Sequence, residues 1–184
     1  LDKEIKSISS ENINFIKIDT EGAELNILKG SKNTLNSALG LEIECNFFQL
    51  RENSPLFEDI KKHLENYNII FVDFLNIIRW ELNNFSYIGQ PQFADVLFLK
   101  DPKIVLSNFK NKSMDSKEFL NYLTILSIYN RSDIFDYLLN NLEESFILKY
   151  NLEKLNKLLK IKNNKLNNIF KISNYFKNTL LRTH

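Results

Sequence analysis

The chain has 184 residues, of which 43% are hydrophobic and 26% charged, and its formal net charge is +1. This balance is ordinary for a globular protein, so it excludes a disordered chain and a strongly basic binder of nucleic acid. The length allows one compact domain, or one domain with a smaller appendage. A single cysteine, Cys45, excludes an intramolecular disulfide and fits a reducing compartment, so we expect a cytoplasmic protein.

Helical and strand patterns alternate over the first hundred residues. The predicted elements are a helix end at 1–10, a strand at 13–18, a helix at 23–29 with another turn at 32–37, a strand at 41–45, a helix at 55–67, strands at 69–74 and 94–99, and between these two a short strand at 77–82 and a loop around 89–91. Ser54 is the predicted N-cap of helix 55–67, and Pro55 its first residue. Asp101-Pro102 is the predicted stop of the last strand.

This order of elements predicts an α/β fold. Parallel strands need helical crossovers, and a final return without a helix adds an antiparallel strand. We therefore predict half of a doubly wound sheet, mostly parallel with an antiparallel last strand. From about Asp115 onward apolar residues recur at helical spacing and no strand pattern returns, which predicts three or four helices. The predicted domains are residues 1–112 and an all-α extension at 113–184.

The extension is rich in lysine. Basic residues far outnumber the single acid, Glu153, after residue 148; they are Lys149, Lys154, Lys157, Lys160, Lys162, Lys165, Lys171, Lys177 and Arg182. The favoured interpretation is a solvated helix face, because the lysines are spread out and separated by asparagine. The alternative is a weak contact with an anionic membrane, a polyanion or an acidic partner.

The segment from Phe15 to Gly30, FIKIDTEGAELNILKG, joins strand 13–18 to the next helix. It resembles the hallmark segment of the FkbM methyltransferase family. In that family an apolar strand ends in Lys-Ile-Asp, a variable residue, Glu-Gly, a small or aromatic residue and Glu follow, and the helix ends in Leu-Lys-Gly. Leu1-Asp2 resembles the end of the family's Thr-Leu-Asp segment, and Glu42-Ile43-Glu44 resembles the following strand with its terminal acid. The resemblance covers about residues 1–102.

The resemblance implies a Rossmann-like methyltransferase sheet with S-adenosylmethionine as cofactor. It also implies O-methylation of a hydroxyl group on a sugar or another small-molecule acceptor, without a nucleic-acid partner. The cofactor of such enzymes normally lies on a glycine-rich turn after the first strand. The four glycines of this chain are too far apart to form one. We therefore expect the first three strands of the sheet to lie upstream of Leu1, and this chain alone to be inactive.

Two further expectations follow from the missing turn. The chain alone should not bind S-adenosylmethionine measurably, and a calorimetric titration that finds a micromolar site would contradict this. Strand 13–18 should have an open outer edge with exposed apolar side chains. The competing hypothesis is a non-catalytic interaction scaffold, formed by a degenerate half-domain with a basic helical tail. A nucleotide-binding regulator would need a phosphate loop, and this sequence does not contain one.

The candidate site lies beyond the carboxyl ends of the strands, where open α/β sheets bind their ligands. Asp19 follows strand 13–18 and Glu44 stands near the end of strand 41–45. Because neighbouring strands are about 4.8 Å apart, the two carboxylates are expected to converge. The candidate catalytic residues are Asp19, Glu21 and Glu44. The candidate cofactor contacts are Asp19, Thr20 and Gly22.

The role of these acids stays open at this point. A carboxylate here can act as a base, hold the cationic cofactor, or bind a divalent metal with a second acid, and we assign no metal ligands. The structural alternatives are that Asp19 and Thr20 cap the following helix, and that Glu21 and Glu24 complement its dipole. Weaker candidates are two histidines without a metal-ligand partner at useful spacing and three aromatic residues between the last strands, namely His63, His184, Trp80, Phe85 and Tyr87.

Overall fold

The computed structural model describes residues 1–8, 12–49, 54–81 and 89–161. The elements are α1 (Asp2–Ile8), β1 (Phe15–Ile18), α2 (Glu24–Lys29), α3 (Lys32–Ser37), β2 (Gly40–Asn46), α4 (Phe57–Glu65), β3 (Ile69–Trp80), β4 (Gln90–Lys100), α5 (Pro102–Lys110), α6 (Ser116–Ile128), α7 (Ser132–Leu139) and α8 (Glu144–Lys149). Residues 152–161 are also helical. The chain divides into two compact units, one ending at Tyr122 and one beginning at Leu123. The boundary expected between residues 112 and 113 stays a prediction.

The first unit contains a mixed four-stranded sheet with the order β1-β2-β4-β3. β1 and β2 are parallel, whereas β4 is antiparallel to both of its neighbours, β2 and β3. Three strands therefore run in one direction and the last strand of the chain runs against them. This confirms a mixed α/β class and is compatible with a Rossmann-like sheet. The sequence did not predict that β4 lies between β2 and β3.

One face of the sheet carries the hydrophobic core. Alternate residues of β2 are completely buried on this face, and the helices α2, α3 and α4 contribute further buried side chains. The core includes Ile18, Leu28, Leu35, Leu41, Ile43, Cys45, Ile60, Leu64, Ile69, Ala94, Val96 and Phe98. Burial of one such large aliphatic side chain stabilises the fold by about 1.5–3 kcal/mol. Cys45 packs within this core, as its sequence context indicated.

A buried lysine ties two helices to the edge of the sheet at which β2 and β3 begin. Lys100 is 8% exposed. Its ammonium group donates to the carbonyl oxygens of Leu35 and Asn36, at 3.2 Å each, and of Tyr67, at 3.0 Å. The last carbonyls of a helix have no partner within the helix and carry its negative end. Lys100 therefore satisfies two carbonyls near the end of α3 and one carbonyl in the turn after α4, and its burial lowers the pKa of the ammonium group.

β3 and β4 are longer than the sequence pattern predicted. β3 runs without interruption through the predicted strand 69–74 and into the predicted strand 77–82 as far as Trp80, and β4 begins at Gln90, where a loop was expected. Three register shifts interrupt the pairing of β3 with β4. Because a bulge changes the alternation of side chains without ending the strand, the apolar pattern indicated two short strands in place of one long strand.

The start of α4 also differs from the prediction. Leu56, in an extended conformation, is the N-cap, so Ser54 and Pro55 lie before the helix. Leu56 forms a β-bridge with Asn46, and its N–H donates to the carboxylate of Asp59 at 3.0 Å. The bridge holds the chain extended for two residues beyond Ser54, which moves the first helical turn to Phe57.

α5 was missed by the sequence analysis. Asp101 ends β4, as predicted, and its carboxylate then accepts the N–H of Lys103 at 2.8 Å. Pro102 occupies the first turn of the helix, where its missing N–H leaves no bond unmade. An Asp-Pro pair is therefore both a strand stop and a helix start, and only the first of these roles was predicted.

The all-α character expected after residue 112 is observed in the described residues. α7, α8, the helix at 152–161 and the second part of α6 form the second unit, with Phe135 and Leu138 fully buried. The apolar stripe expected at residues 169–176 lies outside the described residues. No helix in the described ranges is long and apolar enough to cross a membrane.

β1 is one edge of the four-stranded sheet, as predicted, but its apolar side chains are not exposed. Phe15 and Ile16 are half-buried and Ile18 is buried, so the prediction of an exposed apolar edge is wrong. Ile18 belongs to the core face. On the other face, the Phe15 ring lies within 3.1 Å of the position that a Cβ atom of Gly40 would take. The glycine thus makes room for the aromatic ring on the sheet.

Candidate active site

The loop that follows β1 is held by a buried carboxylate. Glu24, the first residue of α2, is only 1% exposed. It accepts hydrogen bonds from the Thr20 N–H at 3.0 Å, the Thr20 hydroxyl at 2.9 Å and the Gly22 N–H at 3.0 Å. Hydrogen bonds to an ionised acceptor are among the stronger ones in proteins. Sequence analysis assigned Glu24 only to the helix dipole, whereas the structure shows that it fixes the shape of the loop.

This loop contains two residues with left-handed backbones. Glu21 has φ of 51° and Gly22 has φ of 116°. The second value is accessible to glycine and strained for other residues, which explains why glycine stands at this position. The turn lets the chain double back so that three donors point at Glu24. The side chains of Asp19 and Glu21 remain exposed.

The predicted cofactor contacts occupy different places in this loop. The Thr20 hydroxyl and the Gly22 N–H both donate to Glu24, so these two groups stabilise the turn itself. Asp19 directly follows the last residue of β1, and its side chain is exposed. The role of all three as cofactor contacts stays a prediction.

Asp19 and Glu44 are brought together by the pairing of β1 with β2. Ile18 pairs with Ile43, so the next residues along the two parallel strands are Asp19 and Glu44. Glu44 also pairs with Asp95 of the antiparallel β4. The expected convergence of the two carboxylates is thus consistent with the register. Glu44 lies two residues before the end of β2, not at its end as predicted, because β4 pairs with β2 as far as Asn46.

Glu44 is the acid whose surroundings oppose its charge. Partial burial raises the pKa of Glu44, and the neighbouring charges of Asp19, Glu24, Asp95 and Glu21 raise it further, in that order. A carboxyl group that is desolvated and surrounded by like charges holds its proton at a higher pH than usual. Such perturbed groups are common in active sites, since a general base needs a pKa close to the working pH.

Asp95 was not identified by sequence analysis. It stands among the apolar residues of β4, and the sequence analysis assigned it no role. Its proximity to Glu44 depends on the insertion of β4 beside β2, which no local pattern reports. The available signal was the acid itself, since a charged residue in an otherwise apolar strand of a buried sheet requires an explanation.

On the same face of the sheet, a lysine of β1 forms an ion pair with a glutamate of β2 that lies two residues before Glu44. Lys17 pairs with Glu42 in the register of β1 and β2, and its Nζ atom lies 2.6 Å from Glu42 Oε1. Hydrogen bonding and the charge of Glu42 raise the pKa of Lys17. The charges of Asp95 and Asp19 raise the pKa of Lys17 further, so this lysine also interacts with two of the acids around Glu44. Within the described ranges, no group of three or more His, Cys, Asp or Glu residues is arranged to hold a metal ion.

A cavity of about 340 Å³ opens beside the loop at Gly22. Its wall combines amide, hydroxyl, ammonium and carboxylate groups from α2, from the chain after β2 and from the start of α4. The lining residues are Gly22, Leu25, Asn26, Lys29, Gln49, Ser54, Pro55 and Asp59. This mixture of donors and acceptors suits a polar ligand of small size.

The weaker candidates do not join this site. His63 packs against Tyr67 with 5.6 Å between ring centroids, and its buried Nε2 has no hydrogen-bond partner among the described residues. Burial raises the pKa of the Cys45 thiol far above its usual range, which keeps it unreactive. Trp80 is 53% exposed near the end of β3. Phe85, Tyr87 and His184 lie outside the described residues.

Comparison with known proteins supports the family resemblance. Residues 1–71 match the family model described as Methyltransferase FkbM domain. The match includes the whole segment 15–30 and both flanking segments on which the resemblance was based, so the resemblance is confirmed. It ends within β3, whereas the sequence resemblance was drawn to about residue 102. No curated protein matches the chain, and no solved structure matches it.

Proposed function

We propose that this chain, whose residues 1–71 match the FkbM methyltransferase domain, is part of an S-adenosylmethionine-dependent methyltransferase that acts on a hydroxyl group of a sugar or another small acceptor. The observation that carries the proposal is the cluster of acids centred on Glu44, beside the loop of the family motif. Methyl transfer to a hydroxyl oxygen needs alignment of that oxygen and removal of its proton.

Glu44 is the residue to which we assign proton removal. Its carboxylate accepts the proton of the acceptor hydroxyl as the oxygen becomes methylated. Partial burial and the nearby charges of Asp19 and Asp95 raise the pKa of Glu44, which strengthens it as a base relative to an ordinary carboxylate. A positioned base typically contributes about 10²–10⁴-fold to the rate.

The loop residues fit the charge of the cofactor that the family implies. When bound, S-adenosylmethionine supplies the methyl group, and its sulfonium is a cation. Asp19 and Glu21 are exposed carboxylates at the end of β1, and they would hold such a cation by charge. Thr20 and Gly22 would position the backbone beside it, and Glu24 keeps both of them in place.

The cavity beside Gly22 is where we place the acceptor. Its polar wall offers the carboxylate of Asp59, the amides of Asn26 and Gln49, and the ammonium of Lys29. Sugar hydroxyls are recognised by such alternating donors and acceptors. The cavity shares Gly22 with the loop, so an acceptor bound there lies next to the motif. Glu44 is not among the residues that line the cavity, so the reacting hydroxyl has to extend beyond it to reach this carboxylate.

The test is transfer of a labelled methyl group from S-adenosylmethionine to a panel of mono- and oligosaccharides, using the whole protein to which these residues belong. We expect a methyl ether, located on oxygen by NMR of the product. Methylation confined to an amine, a carboxylate or a thiol would overturn the assignment of the acceptor. Glu42→Gln is a matched control, because Glu42 lies on the same strand and face but pairs with Lys17.

The alternative, a non-catalytic scaffold built on this half-domain and its basic helices, stays a prediction. The acid cluster favours the enzyme, since repulsion among carboxylates opposes folding and serves no purpose in a scaffold. A whole protein that binds no S-adenosylmethionine in calorimetry would favour the scaffold. A cytoplasmic location is likewise an expectation, based on the single reduced cysteine.

A further inference from the structure

The helix at residues 152–161 has a buried apolar face and, beside it, an exposed apolar stripe. Leu152 and Leu159 are buried in the second unit, at 3% and 6% exposure. Leu155, Leu158 and Ile161 are exposed at 36%, 56% and 53%. These three recur at intervals of three residues, which places them along one side of a helix. The exposed stripe is therefore additional to the side chains that hold the helix in its unit.

Lysines accompany the exposed stripe. Lys154 and Lys157 are exposed, and neither has an ion pair within the described ranges. Lys160 differs, because its Nζ lies 2.6 Å from the carboxylate of Asp136. Helical spacing places Lys154 beside Leu158 and Ile161, so ammonium groups and large apolar side chains share one surface.

The sequence continues this composition beyond the helix. From residue 154 to the last residue of the chain there is no aspartate or glutamate. The same stretch contains the basic residues Lys154, Lys157, Lys160, Lys162, Lys165, Lys171, Lys177 and Arg182. Large apolar residues recur among them, including Leu166, Ile169, Phe170, Ile172 and Phe176. The positive charge is thus concentrated at this end of the chain, whereas residues 1–153 contain 16 basic and 23 acidic residues and are net negative.

We propose that the exposed stripe of Leu155, Leu158 and Ile161, with Lys154 and Lys157, binds the surface of an anionic lipid bilayer. A bilayer interface accepts both components, since apolar side chains enter the acyl boundary while lysines meet the headgroup charge. A soluble polyanion such as nucleic acid attracts the lysines but gives the leucines no apolar environment. Charge complementarity together with the apolar stripe therefore favours the bilayer.

The experiment measures co-sedimentation of the chain with vesicles of phosphatidylcholine alone and of phosphatidylcholine mixed with phosphatidylglycerol. We expect binding to the mixed vesicles that weakens as salt is added, and little binding to neutral vesicles. The Lys154→Glu/Lys157→Glu variant should lower the partition coefficient by at least about thirtyfold, from the usual contribution of a lysine near an anionic surface. The Leu158→Ser variant should lower it by about tenfold or more, from the lost insertion of one large side chain.

The matched control is Lys103→Glu/Lys110→Glu, which makes the same change of net charge on two exposed lysines of α5. Binding should be unchanged in this variant, and thermal unfolding of all variants establishes that they fold. Equal losses in the control would show that only net charge matters, and would overturn the proposal. Two other results would also overturn it. One is tight binding to an oligonucleotide that Leu158→Ser does not weaken. The other is self-association through Leu158 without vesicle binding.

Discussion

The two ends of the sheet hold charge in opposite ways. At the end where β2 and β3 begin, the ammonium group of Lys100 is buried, but each of its three donors meets a backbone carbonyl. At the end beyond β1, the carboxylate of Glu44 is partly buried among four other acids, and its pKa is raised by burial and by their charge. The first arrangement stabilises the fold and the second opposes it.

The difference separates structural charge from functional charge. A buried charge whose hydrogen bonds are all made is explained by the fold. Glu24 belongs to this class with Lys100, although it lies beside the candidate site. A charge that its surroundings disfavour needs another explanation, and chemistry is the usual one. Glu24 therefore holds the loop in place, and Glu44 is the residue for which we propose a catalytic role.

The largest expected effect is on turnover by Glu44→Gln in the whole protein. Loss of the base should lower kcat by about 10²–10⁴-fold, because the amide cannot accept the proton. Steady-state kinetics with the methylated acceptor as product would measure it, and Glu42→Gln should stay within a few-fold of the parent. An unchanged kcat in Glu44→Gln would contradict the catalytic role that we propose for Glu44.

Lys100→Met tests whether the buried ammonium group of Lys100 stabilises the fold. The variant keeps the length of the side chain but leaves two carbonyl groups of α3 and one carbonyl group in the turn after α4 without their donor. We expect a loss of about 2–4 kcal/mol in the free energy of unfolding, measured by urea denaturation. A variant as stable as the parent would show that these carbonyls are satisfied by water. Lys103→Met, on an exposed lysine of α5, is the control.

Glu24→Gln tests whether the loop depends on a charged acceptor. The amide oxygen can still accept, but its NH₂ group replaces one of the two oxygens that now face donors. We expect a loss of about 1–2 kcal/mol in unfolding free energy. Hydrogen exchange should show faster opening at the N–H groups of Thr20 and Gly22 than in the parent. Unchanged protection of these two amides would argue against the positioning role of Glu24.

The smallest expected effect is the stability gained by Glu44→Gln. Because the folded-state pKa of Glu44 is raised above 4.5, the folded chain binds more protons than the unfolded chain just above that pH. The parent therefore loses stability as the pH rises through this window, and the glutamine variant does not. At neutral pH we expect the variant to be more stable by about 0.5 kcal/mol. The gain should disappear well below pH 4.5, where the carboxyl is protonated in both states.

Local patterns determined much of this chain. The motif FIKIDTEGAELNILKG predicted the match of residues 1–71 to the FkbM methyltransferase domain, and its strand, turn and helix were predicted within two residues at most boundaries. The antiparallel direction of the last strand also followed from the order of elements. These features depend on neighbouring residues, whose spacing and turn chemistry are visible in the sequence.

Tertiary pairing decided the rest. The insertion of β4 beside β2 brought Asp95 to Glu44 from 51 positions away in the numbering, and it extended β2 beyond its predicted end. Because of its bulges, β3 was predicted as two short strands. Because of the bridge between Leu56 and Asn46, α4 begins at Phe57, later than predicted. The sequence analysis related Glu24 only to the helix dipole and gave Lys100 no role, whereas the structure shows the hydrogen-bond partners of both. Contacts between distant segments depend on how the strands pair in the sheet, so local sequence patterns do not predict them.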